Sequence, residues 1–212
     1  KLRMSKSGEE EKAHLIMKLR GSGISSATVL KAIESIPREL FVESALRNHA
    51  WENVPLPIGN GQTISQPFIV SLMTKELNLT GREIVLEIGT GSGYQAAVLS
   101  LLCRRVYSIE RIKNLHLLSN KRLEDLGLTN ITTRHGNGAL GWFEVAPFDC
   151  IIITCATEKI STSLFNQLKI GGRLIAPEKL VNGKQSLNLY TCFEKGRFKK
   201  KSLGEVQFVP MR

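Results

Sequence analysis

The sequence lacks the features of an exported or membrane-spanning protein. It contains no run of about 18 apolar residues, so no membrane-spanning helix is expected. Its first residues, KLRMSKSGEEEK, contain no apolar signal core, so we expect a protein that is not exported and is cytoplasmic. Nothing in the sequence indicates a membrane partner.

Cysteine and histidine are scarce and scattered. The chain has four cysteines, none in a C-x-x-C pair: Cys103, Cys150, Cys155 and Cys192. We interpret them as reduced core residues in a cytosolic setting. The four histidines are also far apart, so no metal site is predicted.

Negative charge is in short supply. The 212 residues include 29 Lys and Arg against 19 Asp and Glu, a net charge of +10. Such a balance suits either nucleic acid or a basic, soluble surface. The positive residues are spread along the chain, and their one cluster, residues 199–201, is predicted to lie in a turn between late strands. We therefore expect no nucleic-acid partner.

What is present is a regular alternation of strands and helices. Apolar spacing predicts helices over 9–20, 26–36 and 66–78, the last with Ser65 as N-cap. Further helices are predicted over 94–103, 112–127 and 163–172. Strands are predicted over 84–89, 105–110, 131–136, 148–156, 173–178, 186–194 and 204–211.

This order predicts an α/β fold: a doubly wound, mostly parallel seven-stranded sheet with a small N-terminal helical addition. The final hairpin should add an antiparallel strand at one edge. We predict one domain, residues 1–212, with a helical region (9–58), a loop and helix (59–80) and an α/β core (81–212). No heptad or long apolar edge strand stands out, so a monomer is expected.

The most glycine-rich turn of the chain follows the first long strand, in VLEIGTGSGYQ, residues 85–95. In a parallel sheet, ligands bind beyond the carboxyl ends of the strands, and glycines let the backbone approach a ligand closely. We therefore predict that the turn contacts a ligand through Gly89, Thr90, Gly91, Ser92 and Gly93.

An acidic residue, Glu110, ends the next strand, 21 residues after Gly89. A carboxylate at this place can accept hydrogen bonds from both hydroxyls of a ribose. The turn and Glu110 together indicate an adenosine-containing ligand, either a nicotinamide dinucleotide or S-adenosylmethionine.

The glycine frame separates these two cofactors. In the dinucleotide pattern G-x-G-x-x-G, the third glycine would fall on Tyr94, so the pattern fails. Glu87, inside the strand, suits a cationic sulfonium better than a pyrophosphate. Both observations favour S-adenosylmethionine.

A third loop, RHGNGALGW, follows the third strand and would border the adenine pocket. Asn137 could accept a hydrogen bond from the adenine amino group, with Gly138 beside it. A turn asparagine between two glycines is an equally good interpretation on spacing alone.

These segments together resemble one family. VPLPIGNGQTISQP, LEIGTGSGYQ, SIERI, RHGNG-x-x-GW, APFDCIII and the terminal FVP are similar to the bacterial-type protein-L-isoaspartate O-methyltransferases, from about residue 9 onward. The resemblance implies a class I, Rossmann-like methyltransferase fold. It implies S-adenosylmethionine as cofactor, S-adenosylhomocysteine as product, and isoaspartyl proteins and peptides as substrates.

The resemblance also gives the G-x-G-Q-T-I-S-Q-P loop a role. In the family this loop lies over the cofactor and helps to form the acceptor pocket. Ser65 matches the residue usually called the active site, and Thr63 lines the same pocket, so both are expected to be catalytic. Gln62 and Ile64, with Ser65, are expected to bind substrate.

Three places depart from the family pattern. Asn137 stands where Asp is usual, and residues 155–161 and 175–179 lack the usual prolines and P-V-G ending. They leave room for another class I methyltransferase, acting on RNA or a small molecule, or for a non-catalytic cofactor-binding paralogue. Against an RNA-base enzyme, TCAT stands where such enzymes carry N/D-P-P-Y/F.

Overall fold

The computed structural model describes residues 6–211, with side chains from residue 8 onward. The N-terminal third is helical, as predicted. It contains the helices α1 (Lys6–Gly21), α2 (Ala27–Ser35) and α3 (Pro67–Glu76), two 3-10 helices (Arg38–Phe41 and Ser44–His49), and a two-residue hairpin of β1 (Leu56–Pro57) with β2 (Thr63–Ile64).

The rest of the chain forms one seven-stranded sheet. Its strands are β3 (Ile84–Ile88), β4 (Arg105–Glu110), β5 (Ile131–His135), β6 (Phe148–Ile153), β7 (Leu168–Lys179), β8 (Gln185–Glu194) and β9 (Arg197–Val206). The order is β5-β4-β3-β6-β7-β8-β9; neighbours from β5 to β7 are parallel, and β8 is antiparallel to both its neighbours. The predicted doubly wound, mostly parallel sheet is confirmed.

Helices α4 (Tyr94–Ser100), α5 (Lys113–Asp125) and α6 (Thr162–Asn166) connect the strands. Successive side chains of a strand point to opposite faces, and the core follows this period. Val85 packs with α3 and α4 on one face, whereas Leu86 and Ile88 pack with α6 on the other. The strand order reverses between β3 and β6, where a crevice for a ligand is expected.

The N-terminal helices share a core with the ligand-binding end of the sheet. Leu19 and Ile33 belong to one buried cluster with Phe41, Ile64 and Tyr94. Ile64 lies in the G-x-G-Q-T-I-S-Q-P loop, and Tyr94 opens α4. The helical addition therefore supports both the loop and the start of the helix that follows the glycine turn.

Two boundaries predicted from the sequence were wrong. The predicted helix over 163–172 ends at Asn166, and β7 begins at Leu168 because this stretch pairs with β6. Local helical spacing was overridden by strand pairing.

The last strand begins earlier than predicted, and residues 199–201 lie inside it instead of in a turn. The hairpin turn is formed by Lys195 and Gly196. Edge strands commonly carry lysines, since their charges discourage pairing with another chain. The lysine run is therefore compatible with a strand at this position.

Within residues 6–211, no helix is both long and apolar enough to cross a bilayer. All four cysteines are free thiols, and Cys103, Cys150 and Cys192 are buried in the core, as predicted.

Candidate active site

The glycine turn sits at the carboxyl end of β3, at the switch in strand order. Gly89 has a φ of +96°, and a Cβ there would lie 2.5 Å from the hydroxyl oxygen of Thr154. That hydroxyl donates to the carbonyl oxygens of Ile88 (2.9 Å) and Gly89 (2.6 Å). Glycine is required here for two reasons: the positive φ, and the lack of space for a Cβ beside the Thr154 hydroxyl. The turn is therefore held against the end of β6.

Glu110 binds this turn from the neighbouring strand. One carboxylate oxygen accepts the backbone N–H of Gly91 and the other accepts that of Ile112, both at 2.8 Å. Each oxygen retains a further lone pair, and Glu110 lines the pocket in front of the turn. The carboxylate is thus held in place and still able to receive a pair of hydroxyl donors.

The structure brings most of the predicted site residues together around one pocket. Its lining includes Gln62, Thr63, Ile64, Ser65, Gly89, Thr90, Gly91, Ser92, Glu110 and Gly138. Glycines, a fixed carboxylate and apolar side chains such as Ile109 and Leu115 make a wall that fits a nucleoside with a short charged tail.

Glu87 does not line this pocket. It is fully buried behind the turn, where it accepts a short hydrogen bond from the hydroxyl of Ser108. Ser108 also shares a hydrogen bond with Thr90, at 2.6 Å. Burial raises the pKa of Glu87 to about 8, with the charge of Glu110 adding to the effect.

Glu87 is therefore mostly uncharged at neutral pH, and the argument that its charge selects a cationic ligand does not follow from this geometry. Its observed role is to support the turn through Ser108 and Thr90. Gly93 also stands behind the turn, since it is the N-cap of α4 with a φ of +91° and lies beside α5.

Asn137 and Gly138 differ in their placement. Asn137 is exposed, and its side-chain oxygen accepts the N–H of Ala139 at 3.1 Å, which is the turn role weighed against adenine binding. Gly138 lines the pocket and lies so close to Ile88 that a Cβ would overlap its methyl group. Contact with the pocket at this loop thus comes through Gly138.

Ser65 is not the helix cap that the sequence predicted. Gln66 occupies the N-cap position of α3, and the N–H of Phe68 is bound by the side-chain oxygen of Asn53 at 2.9 Å. Within residues 6–211 the hydroxyl of Ser65 has no hydrogen-bond partner. It lines the pocket and is free to meet a ligand.

A second, more open cavity adjoins the first. The two share Thr63, Ser65, Thr154 and Val209 in their walls. The wall of the second also contains Lys184 and Glu205, an exposed ion pair at 2.9 Å. Ser65 and Thr63 therefore stand where the two cavities meet. An open cavity joined to a narrower pocket suits a reaction between a small molecule and a larger acceptor.

Sequence reasoning missed Thr154 and the C-terminal segment 209–211, which also line the pocket. The segment is anchored because Ala156 donates to Val209 O (2.8 Å) and Met211 donates to Ala156 O (2.7 Å). Thr154 directly follows β6 at the switch point, a position that could have singled it out.

The two stretches that depart from the family pattern touch each other. The N–H of Thr157 binds Pro177 O at 3.1 Å, and the N–H of Lys179 binds Thr157 O at 2.9 Å. Cys155, the first residue of the stretch 155–161, lines the pocket, and burial raises the pKa of its thiol to about 12.

Comparison with known proteins accounts for this arrangement. Residues 10–212 match the family model described as Protein-L-isoaspartate(D-aspartate) O-methyltransferase (PCMT). The chain belongs to this family. A protein-L-isoaspartate O-methyltransferase of Parvibaculum lavamentivorans is 49% identical over 205 residues, covering 96% of this chain and 92% of that protein. One from Yersinia enterocolitica is 48% identical over 199 residues, covering 93% of each.

Solved structures agree on the fold. A protein-L-isoaspartate O-methyltransferase structure of 30% identity superposes with a TM-score of 0.87; it covers 94% of this chain, which spans only 65% of that longer one. A Plasmodium falciparum chain assigned to the same enzyme class, solved with S-adenosyl-L-homocysteine, has 23% identity and a TM-score of 0.84, covering 95% and 98%. The class I methyltransferase fold is therefore shown.

Proposed function

We propose that the chain transfers the methyl group of S-adenosylmethionine to the free α-carboxylate of L-isoaspartyl residues in damaged proteins and peptides. Its membership of the family, at close to half identity over nearly its whole length, supports this activity. The methyl ester then loses methanol as the next backbone nitrogen attacks it, and the resulting succinimide hydrolyses in part to normal aspartate. Acceptors such as RNA, and a non-catalytic role, are not favoured.

The observation that carries the proposal is the free hydroxyl of Ser65 at the junction of the two cavities. Ser65 and Thr63 are proposed to hold the acceptor carboxylate, with Gln62 and Ile64 completing the wall. The hydroxyl of Ser65 is not consumed by helix capping, because Asn53 performs that task. It is therefore available to donate to an anion.

The remaining pocket residues are proposed to bind the cofactor. Glu110 would receive the ribose hydroxyls, and the backbone from Gly89 to Ser92 would lie along the ligand, with Gly93 behind it at the start of α4. Gly138 would border the adenine, with Asn137 beside it at the exposed rim. Glu87 is proposed to act indirectly by fixing Thr90.

The chemistry asks little of the protein beyond alignment. When bound, the cofactor supplies a methyl group on a positively charged sulfur. The acceptor carboxylate has a pKa of about 3.5, so it is already an anion at neutral pH and needs no general base. The chain's task is to orient this carboxylate and exclude water, which hydroxyl and N–H donors achieve without neutralising the nucleophile.

We propose that the chain forms one domain with three parts: a helical region (9–58), a loop and helix (59–80) and a core (81–212). The buried cluster that contains Ile64, Tyr94 and residues of the N-terminal helices supports this proposal. We also propose a cytoplasmic monomer that needs neither nucleic acid nor membrane. The four free thiols support a reducing compartment. The charged edge strand β9 disfavours pairing between sheets.

The decisive experiment is methyl transfer from labelled S-adenosylmethionine to two matched peptides, one with isoaspartate and one with aspartate at the same position. We expect base-labile label in the isoaspartyl peptide only. Equal labelling of both peptides, or of neither while S-adenosylhomocysteine still binds, would overturn the proposed activity.

A further inference from the structure

An arginine with no assigned role lies beneath the acceptor loop. Arg38 is the largest fully buried side chain of the described residues, with zero exposure. Within residues 6–211 no carboxylate pairs with it, and one terminal nitrogen, Nη1, has no hydrogen-bond partner. An unpaired buried charge is costly, so its neighbours identify what the guanidinium stabilises.

Those neighbours are backbone carbonyls on two separate segments. Nε donates to Ala50 O at 2.8 Å, and Nη2 donates to Ser65 O at 3.0 Å. The guanidinium also lies over the ring of Tyr94, 4.8 Å from its centroid, and Tyr94 lines the cofactor pocket. Burial lowers the pKa of Arg38 to about 10, so the group stays charged at neutral pH.

The bond to Ser65 O fixes the orientation of one peptide unit. A peptide group is planar and trans, so its carbonyl and its N–H point in opposite directions. Because Ser65 O is directed at Arg38, the N–H of Gln66 is directed away from it. Among the described residues this N–H has no partner, and both Ser65 and Gln66 line the open cavity.

We infer that Arg38 is a positioning residue for methyl transfer: its charged, two-pronged hydrogen bonding to Ala50 and Ser65 orients the Ser65–Gln66 peptide so that the Gln66 N–H faces the acceptor carboxylate. The inference rests on the proposed function. A lysine ammonium keeps the charge and three donors but lacks the rigid planar fork, so it would not hold the two carbonyls in this fixed geometry.

The test compares the wild type with Arg38→Lys. Arg173→Lys is the matched control, since Arg173 also donates to a backbone carbonyl, Leu77 O at 3.0 Å, but lines neither cavity. We expect Arg38→Lys to lower kcat/KM for the isoaspartyl peptide at least about 10-fold while the Kd of S-adenosylhomocysteine changes less than about threefold. The control should change both quantities less than about twofold.

Three results would overturn the inference. The first is an Arg38→Lys enzyme with unchanged kcat/KM. The second is an Arg38→Lys enzyme that loses kcat/KM and cofactor affinity by the same factor, as a merely structural role would cause. No transfer by the wild type would overturn the proposed function and this inference with it. Either of the first two results, obtained with an active wild type, would overturn the inference alone and leave the proposed function in place.

A measurement on the wild type covers the case in which Arg38→Lys does not fold. The amide signal of Gln66 is followed by NMR in the complex with S-adenosylhomocysteine while the isoaspartyl peptide is added. We expect a downfield shift of the Gln66 amide proton with the isoaspartyl peptide and none with its aspartyl match. If the chemical shift of the Gln66 amide proton changed with neither peptide, the inferred orientation would be overturned.

Discussion

The two halves of the candidate site are built in different ways. The cofactor half comes from the ends of neighbouring parallel strands: Gly89 directly follows β3, Glu110 is the last residue of β4, and Glu110 accepts the N–H of Gly91 in the turn. The acceptor half is assembled from segments far apart in the chain. Arg38 donates a hydrogen bond to Ser65 O, and Asn53 caps α3, the helix that follows Ser65. One half is fixed by the sheet, whereas the other is fixed by long-range contacts of a loop.

The largest effect should come from the cofactor half. Gly89→Ala adds a Cβ at a φ of +96° and 2.5 Å from the Thr154 hydroxyl, so the turn must move. We expect the Kd of S-adenosylhomocysteine, measured by calorimetry, to rise at least about 100-fold.

Gly81→Ala is the matched control, because Gly81 has a φ of +94° and open space around it. It should cost about 1–2 kcal/mol in the free energy of unfolding and leave cofactor affinity unchanged. Equal cofactor affinity of the Gly89→Ala variant and the wild type would show that the turn is not the binding element.

The next effect belongs to the acceptor half. Ser65→Ala removes a hydroxyl that has no hydrogen-bond partner among residues 6–211. We therefore expect kcat/KM for the isoaspartyl peptide to fall roughly 10- to 100-fold, with cofactor affinity and stability retained. Steady-state kinetics and calorimetry on the same preparation would check this.

Ser71→Ala is the control on α3, the helix that follows Ser65, where the Ser71 hydroxyl donates to Pro67 O at 2.8 Å. It should leave kcat/KM unchanged. If the two serine variants showed the same kinetics, Ser65 would have no catalytic role, and the acceptor half would have to be sought elsewhere.

Glu87 allows a structural role to be distinguished from a role in cofactor binding. Its folded pKa of about 8 exceeds the ordinary value of 4.5, so the folded state keeps a proton that the unfolded state loses between these values. The contribution of Glu87 to the stability of the wild type should therefore fall as pH rises from about 4.5 to 8 and level off above.

Glu87→Gln removes this pH dependence. In urea unfolding, we expect the variant to gain stability relative to the wild type by up to a few kcal/mol between pH 5 and pH 8. Its cofactor affinity at pH 7 should change less than about threefold, since Glu87 does not line the pocket. A difference in stability that is flat with pH would mean that Glu87 is ionised in the folded protein.

The smallest effect is expected at the exposed rim. Asn137→Asp preserves an oxygen that can accept the N–H of Ala139, so cofactor affinity should change less than about threefold. A gain of about 10-fold or more would instead mean that this side chain reaches the cofactor, and that the family's usual Asp binds more tightly than Asn.

How far the sequence predicts this molecule follows the same division. Local sequence patterns predict the sheet, the glycine turn after β3 and the position of Glu110 at the end of β4. The structure confirms these predictions. Three other features depend on contacts between residues far apart in the chain, which periodicity does not reveal. They are the N–H of Phe68 bound by Asn53, the hydrogen bonds of Arg38 to Ala50 and Ser65, and the pocket lining by residues 209–211. The end of the helix at Asn166 was missed because strand pairing outweighs local propensity.

The raised pKa of Cys155 has a consequence for chemical fidelity. Thiolates are strong nucleophiles, and this sulfur shares a pocket with the proposed methyl donor. With a pKa of about 12, only roughly one thiol in 10⁵ is ionised at pH 7. Burial thereby keeps the Cys155 thiol protonated, so this sulfur is a weak competitor of the incoming carboxylate for the methyl group.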